Sequence, residues 1–377
     1  MHRFVPYCRD NSLPPKYFFS LQDIDYFYRV LYMEGLEKPG YVVWGEKLLE
    51  WYRANQRDLL WRERKDPYRV WISEVILQQT QVRQGAPYFE RFVQRFPTVE
   101  SLATASAEEV LLYWKGLGYY SRALNLHRAA QKILAEFGGN FPTEYQQILS
   151  LPGVGPYTAS AISSIAFSQP VAAVDTNLYR VLARFFLCSV DISTSGAYRI
   201  FSELALKLMP KEWPGEFNQA MMDVGASVCK PLAPLCHECP LREGCLAFSR
   251  GTMEEYPVKQ RKTKVSTISM QYYFVNDGLS YIIQQRSEKS IWKRLYEFPT
   301  EIEQKYQDRL LAPEILQHRL SHRVLNIRID ALVLSTWELE QWSKKEESIV
   351  VPYTESAGYS YPRPLERYLE KWLGSRS

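Results

Sequence analysis

The sequence predicts two unlike domains in tandem, a mainly α core over 41–248 and an α+β domain over 265–377. Three observations carry this. Apolar residues recur with helical spacing through the first stretch. The polar, basic segment SRGTMEEYPVKQRKTK, over 249–264, reads as an interdomain linker. Beyond it the pattern changes to period two, in TISMQYYFV and SYIIQQRS. A chain of 377 residues has room for two or three domains at roughly 100–200 residues each.

Residues 1–40 fit no part of this plan. Met33 stands just before the recognisable start, which leaves open an upstream start codon or an added extension. The opening MHRFVPYCRDNSLPPKYFF has no apolar h-region and argues against a secretory signal. No apolar run approaches the roughly 18 residues of a membrane span. The expectation is an intracellular, cytoplasmic protein with no membrane partner. Hydrophobic content of 46% and charged content of 23% exclude the disordered and fibrous classes. The net charge is +4, and all of the excess lies in 41–264, since the chain from Val265 onward carries 15 basic and 15 acidic residues. That balance suits a polyanionic partner, although a solvated surface produces it equally well.

Taken in order, Tyr41–Tyr52 and Val70–Thr80 have helical periodicity. Phe141-Pro142-Thr143 opens another helix, with Thr143 as N-cap and Gln146 three residues on, a capping-box pattern. That helix ends at Leu149-Ser150. The turn Leu151-Pro152-Gly153-Val154-Gly155 follows. Pro156 suits the first position of the next helix, where its missing N–H costs nothing. In the last third, period two recurs in ALVLSTWEL. A final helix over 364–373 places Leu365, Tyr368, Leu369, Trp372 and Leu373 on one face.

Of six cysteines, Cys8 and Cys188 stand alone and read as ordinary free thiols. Cys229, Cys236, Cys239 and Cys245 are spaced C-x6-C-x2-C-x5-C. Without a secretory signal, such a cluster reads as metal ligands and not as disulfides. Zinc sites usually pair two short knuckles, and only one short pair exists here. The wide first loop and Pro240 suit an iron–sulfur cluster held by four thiolates. His237, between two of these ligands, is expected to be exposed.

Two further features carry chemistry. The Gly153-Val154-Gly155 turn before a helix N-terminus exposes backbone N–H groups that can hold a phosphate oxygen. About 20 residues on, Val174-Asp175-Thr176-Asn177 follows an apolar run. Taken singly, Asp175 is best read as an N-cap. The order hairpin, acid and four-cysteine loop changes that reading.

This combination, from about Val43 to Cys245, resembles the helix-hairpin-helix DNA glycosylases with an iron–sulfur loop, the endonuclease III and MutY relatives. Arg57-Asp58-Leu59-Leu60-Trp61-Arg62, the run from Asp66 to Val82, and Gly116-Leu117-Gly118-Tyr119-Tyr120-Ser121-Arg122 look like the MutY adenine glycosylases. Leu60 departs from the family's usual proline. The resemblance implies one [4Fe–4S] cluster on the four cysteines, in the loop 229–245.

It also implies roles, residue by residue. Breaking the C1′–N9 bond of a purine expels a poor anion, so the base is protonated at N7 while the sugar becomes oxocarbenium-like. One carboxylic acid must stay protonated and another ionised. Glu74, among Trp71, Ile72, Val75, Ile76 and Leu77, is implied as the general acid, with burial raising its pKa. Asp175, near a helix N-terminus, should stay ionised and stabilise the cation. Asn177 is implied to orient Glu74 or the water. Tyr157 stands where bifunctional relatives carry a lysine that attacks C1′. Tyrosine forms no Schiff base, so excision without strong strand cleavage is expected.

Adenine must leave the stack to be reached. The resemblance places Arg57, Trp61, Arg62, Leu77 and Gln219 around the flipped base. It assigns Gln79 and Tyr119 as wedges and sets Thr80 and Leu117 near the opposing guanine. The C-terminal domain resembles the Nudix-like domain of the same family. After Glu297-Phe298-Pro299, however, TEIEQKYQDRLL lacks the glycine and the Arg-Glu step of a working Nudix helix. The family's Phe-Ser-His reader loop for 8-oxoguanine matches Ser321 and His322, with Leu320 in place of the phenylalanine. The implied activity is monofunctional excision of adenine opposite 8-oxoguanine or guanine in double-stranded DNA, by a monomer. A bifunctional lyase for oxidised pyrimidines and a non-catalytic lesion-binding protein are the rival readings. Tyr157 opposes the first, and the pair Glu74 and Asp175 opposes the second.

Overall fold

The computed structural model describes residues 40–260, 265–288, 290–345 and 348–374. Cys8 and the end of the expected linker lie outside the described residues. Helices in the first part of the chain are α1 (Gly40–Asn55), α2 (Pro67–Leu77), α3 (Val82–Arg95), α4 (Val99–Thr104), α5 (Ala107–Trp114), α6 (Ser121–Phe137) and α7 (Tyr145–Leu149). There follow α8 (Pro156–Phe167), α9 (Thr176–Phe186), α10 (Ala197–Leu208), α11 (Pro214–Ser227) and α12 (Leu246–Arg250). After the linker come strands β1 (Ser266–Asn276), β2 (Ser280–Gln285), β3 (Tyr296–Glu297), β4 (Glu314–Leu320) and β5 (Arg323–Val333), then helix α13 (Thr336–Lys345), strand β6 (Ile349–Pro352) and helix α14 (Arg363–Gly374). The expected α core and α+β domain are both present.

The chain divides into two compact units that do not follow the sequence boundary. The first comprises the described residues of Met1–Trp71, Thr143–Ser150 and Val154–Arg261, the second those of Ile72–Pro142, Leu151–Gly153 and Lys262–Ser377. In the first unit, Trp44 and Leu48 of α1 pack with Leu182 and Phe185 of α9, Phe201 of α10 and Phe217 and Met221 of α11. Trp44 meets Phe185 edge-on at 5.6 Å between ring centroids. This core continues into Cys229, Cys239 and Cys245, so the cysteine loop is seated on the helices that carry Asp175 and Gln219.

In the second unit, Phe89, Phe92, Phe96, Trp114, Leu126 and Ile133 are buried between α3, α5 and α6. Thr98 and Ser101 form a capping box on α4, and Ser106 caps α5 through the Glu109 N–H. The C-terminal sheet has the order β3-β2-β1-β5-β4, with β6 pairing β2. β1 and β5 run parallel, from Ser266 opposite Arg323 to Asn276 opposite Val333. One sheet face buries Phe274, Ile327 and Ile329 against Leu365, Tyr368 and Leu369 of α14. The other buries Val275, Ile282 and Leu332 against Leu339 and Trp342 of α13. Polar bonds join this domain to the helices of the same unit. Arg294 donates to Glu108 at 2.6 Å, and Lys115 donates to the Tyr359 carbonyl at 3.1 Å.

Four expectations need correction. Helix α2 starts at Pro67 and stops at Leu77, because Gln79 turns into the left-handed region at φ 56°. Thr143 is not an N-cap; Glu144 holds that position without a side-chain bond, and the Thr143 carbonyl accepts from Gln169. The stretch ALVLSTWEL is not one strand. β5 ends at Val333, and Ser335 and Glu338 then cap α13 reciprocally. The expected linker is folded through Val258. Buried Arg184 holds the carbonyls of Met253 and Tyr256, and the Ile192 N–H donates to the Val258 carbonyl. Its polar composition hid this because the anchors are backbone oxygens.

Candidate active site

In the first unit, Asp175 caps α9 as a lone acid would. Its Oδ1 accepts from the Leu178 N–H at 2.7 Å, and its Oδ2 accepts from Asn177 Nδ2 at 2.7 Å. Asn177 in turn accepts from Arg180 Nη2 at 2.8 Å. Asn177 therefore orients Asp175. A Cβ on Gly225 would lie 2.5 Å from the Asn177 Cβ, so only glycine leaves room for this arrangement. Burial pushes the Asp175 carboxyl above its usual range, while the Leu178 and Asn177 bonds and the Arg180 charge pull it back. The sequence suggested only the pull toward ionisation.

Buried Asn218 was not singled out from the sequence. It accepts from the Ala173 N–H at 3.0 Å and donates to Ser164 Oγ and the Val171 carbonyl, pinning the segment that leads to Asp175. Asp223 was missed as well, and it changes the reading of two arginines. It is 1% exposed and accepts from Arg57 Nε at 2.8 Å, from Arg57 Nη2, and from Arg62 Nη1 and Nη2 at 2.7 and 3.0 Å. Burial works against its charge, but the bonds from Arg62 and then Arg57 hold its carboxyl below the usual range. An acid within the run Ala220-Met221-Met222-Asp223-Val224 was the available signal. Trp61 is buried, Gln219 is half-buried on α11, and the half-buried Tyr157 directs its hydroxyl to Met222 Sδ at 3.7 Å.

The hairpin glycines differ. Gly153 has φ 77°, and a Cβ there would come within 2.6 Å of the Asn125 Cβ. Gly155 is the extended N-cap of α8, and its Cβ position opens on free space in front of the helix N-terminus. Pro156 takes the first helical position, as expected.

In the second unit, Glu74 is 9% exposed on α2, between fully buried neighbours Trp71, Ile72 and Ile76. Leu77 is half-buried at the helix end, and Gln79 and Thr80 form the turn after it, Gln79 exposed. Leu117 is buried, so its side chain belongs to the core. Tyr119 is 48% exposed and at φ 50°. Its hydroxyl lies 2.7 Å from Ser321 Oγ. Ser321 and His322 are the exposed turn between β4 and β5, and Leu320 packs against the domain's apolar core. Arg122, whose role the sequence did not show, bonds the backbone beneath both Gln79 and Tyr119. Burial draws its guanidinium down to about 10, opposed by neighbouring Tyr119. Where a Nudix metal helix would stand, residues 304–309 form only a 3₁₀ turn.

Cys229, Cys236, Cys239 and Cys245 line one cavity with Arg184, Val228 and Phe248. All four are free thiols, and Arg184 Nη1 donates to Cys229 Sγ at 3.4 Å. Among the described residues, no three His, Cys, Asp or Glu are grouped so as to hold a metal ion. Four thiol donors lining one cavity are the donor set of a zinc ion or of an iron–sulfur cluster. His237 is exposed, as expected, and Cys188 is buried. Among the described residues, no helix is long and apolar enough to cross a membrane.

A family model described as HhH-GPD superfamily base excision DNA repair protein matches residues 72–206. The adenine DNA glycosylase of Buchnera aphidicola subsp. Acyrthosiphon pisum (strain APS) is 32% identical over 348 residues, covering 88% of this chain and 97% of that protein. The Homo sapiens adenine DNA glycosylase is 44% identical over 217 residues, 55% of this chain and 40% of its own. Among solved structures, a thermostable thymine-DNA glycosylase is 28% identical and superposes with a TM-score of 0.52, over 56% of this chain and 97% of that one. With the similarity to the Buchnera protein running across most of both chains, this chain belongs to the adenine DNA glycosylase family.

Proposed function

We propose that this protein is a monofunctional DNA glycosylase that removes adenine mispaired with 8-oxoguanine or guanine in double-stranded DNA, acting inside the cell as a monomer. Two carboxyl groups, one buried on an apolar helix and one fixed by donors at a helix N-terminus, carry the reading. Glu74 is buried in an apolar helix, and burial works against a charged carboxyl. Burial raises the Asp175 carboxyl as well, but two donors and an arginine charge act against that and favour its carboxylate. Glu74 gives its proton to N7, the base departs neutral, and the electron-poor C1′ is stabilised by Asp175. Water then completes the hydrolysis, with Glu74 as the group that recovers the proton. Tyr157 carries no amine, so no Schiff base forms and the strand stays intact.

Recognition is read from the other residues. Gln79 and Tyr119 fill the vacated stack, with Thr80 and Leu117 on the guanine side. Arg57, Trp61, Arg62, Leu77 and Gln219 surround the extruded adenine. Gly153 and Gly155 present backbone N–H groups to a phosphate. Ser321 and His322 read 8-oxoguanine, which the bond between Ser321 and Tyr119 supports. Cys229, Cys236, Cys239 and Cys245 would hold one [4Fe–4S] cluster, which when bound cross-links the loop 229–245.

The test is Glu74→Gln, which keeps the shape and removes the proton. Binding to a duplex with adenine opposite 8-oxoguanine should stay within about threefold, while excision falls by roughly 10²-fold or more. Equal excision would remove Glu74 as the acid.

A further inference from the structure

Arg122 lies in the first turn of α6, and its buried guanidinium reaches two separate turns. Nη1 donates to the carbonyls of Val75, Ile76 and Gln78 at 2.8, 2.8 and 2.6 Å. Nη2 donates to the Gly118 carbonyl at 3.2 Å and contacts Thr80 Oγ1 at 3.4 Å. The ring centroids of Trp114 and Tyr119 lie 5.2 and 5.5 Å from its Cζ. Val75 and Ile76 are in the last turn of α2, where carbonyls lack helical partners and the dipole favours a cation.

The remaining acceptors are more specific. Gln78 immediately precedes Gln79, and Gly118 immediately precedes Tyr119. Both following residues are non-glycine at positive φ, 56° and 50°. Left-handed backbone costs such residues about 1 kcal/mol each. One guanidinium thus holds the peptide oxygen just before each of two strained, exposed side chains.

We propose that Arg122 is the positioning residue that keeps the Gln79 and Tyr119 turns poised together for insertion into DNA, so that it governs extrusion of adenine and leaves bond cleavage untouched. This rests on the proposed glycosylase reading and assigns the shared geometry of its two wedges to a third side chain. Nothing in the arrangement puts the Arg122 guanidinium on a reacting atom; its partners are backbone oxygens, one threonine hydroxyl and two rings.

The experiment uses the full chain with its cluster and a duplex carrying adenine opposite 8-oxoguanine, with 2-aminopurine beside the adenine as a reporter of unstacking. In the Glu74→Gln background, binding should raise the fluorescence. Adding Arg122→Ala should cut that rise about fivefold or more. In the catalytically intact chain, Arg122→Ala should lower single-turnover excision by roughly tenfold, which is about 1.4 kcal/mol. The shape of the pH–rate profile should not change. Arg122→Lys keeps the cation but spans only one turn, so it should fall between; it also serves if the alanine variant does not fold. A full fluorescence rise with a lowered rate or a shifted pH profile would overturn the proposal, placing Arg122 on the Glu74 chemistry. Wild-type fluorescence and rate in both variants would overturn it too. A wild-type chain that extrudes but never excises adenine would instead count against the glycosylase reading.

Discussion

Arg180 donates from Nε to the backbone oxygen of Cys229 at 2.6 Å. Through Nη2 it also reaches Asn177 and the Gly225 carbonyl, and Asn177 holds Asp175. The first cysteine of the loop and the carboxylate expected to face the sugar are therefore joined through two side chains. Replacing Arg180 with alanine strips a donor from three buried or half-buried acceptors, a cost of about 2–4 kcal/mol. Excision should fall roughly tenfold or more and iron content should drop, with Arg180→Lys between the two. Iron and sulfide analysis beside a single-turnover rate checks this; full activity and iron content in the alanine variant would break the link.

Asp175→Asn separates capping from chemistry. Asparagine caps a helix as well as aspartate does, so the cap survives. Burial raises the folded pKa of Asp175, so the ionised form costs stability once pH is above that value, and the cost is relieved as pH falls through it. The asparagine variant should therefore melt at or above the wild-type temperature at neutral pH, while excision drops by roughly 10²-fold or more. A variant that unfolds more easily would show that the carboxylate is chiefly structural.

Asp223 has the opposite sign. Its folded pKa is depressed, so its ion pairs stabilise the fold above the unfolded pKa and that contribution is lost as pH falls through the folded value. Asp223→Ala leaves the mostly buried Arg62 without its carboxylate, worth about 3 kcal/mol. The Arg57 share is smaller because its side chain is 35% exposed. Urea unfolding at neutral pH should show this loss, and the gap to wild type should narrow in acid.

The two hairpin glycines should respond differently to alanine. Gly153→Ala meets both a left-handed backbone and the Asn125 side chain, and should destabilise by about 1–3 kcal/mol. Gly155→Ala meets nothing and has ordinary φ, so stability should hold. It does fill the space before the α8 N-terminus, so duplex affinity should fall. Melting curves and DNA titrations of both variants read the difference.

Much of this was legible because local chemistry and tertiary structure agree. Pro156 at a helix start, Asp175 as a cap and the apolar face of α14 each follow from rules that act within a few residues. What escaped was set by distant partners. Gln79 has no intrinsic preference for positive φ, so nothing in its identity announces the end of α2. Arg122 and Asp223 act on backbone and arginines far away in sequence, and a lone charge in an apolar helix hints at burial without naming its partner. Ser335 and Glu338 were readable as a capping box, but alternating apolar residues around them imitate a strand.

The most direct test is a single-turnover reaction on a duplex with one adenine opposite 8-oxoguanine, quenched with and without hot alkali. Strand breaks should appear mainly after alkali, because adenine is gone and the backbone intact when a tyrosine stands in place of an amine nucleophile. Comparable breakage without alkali would contradict monofunctional excision, and no product under either quench, with the cluster intact, would contradict catalysis by Glu74 and Asp175 altogether.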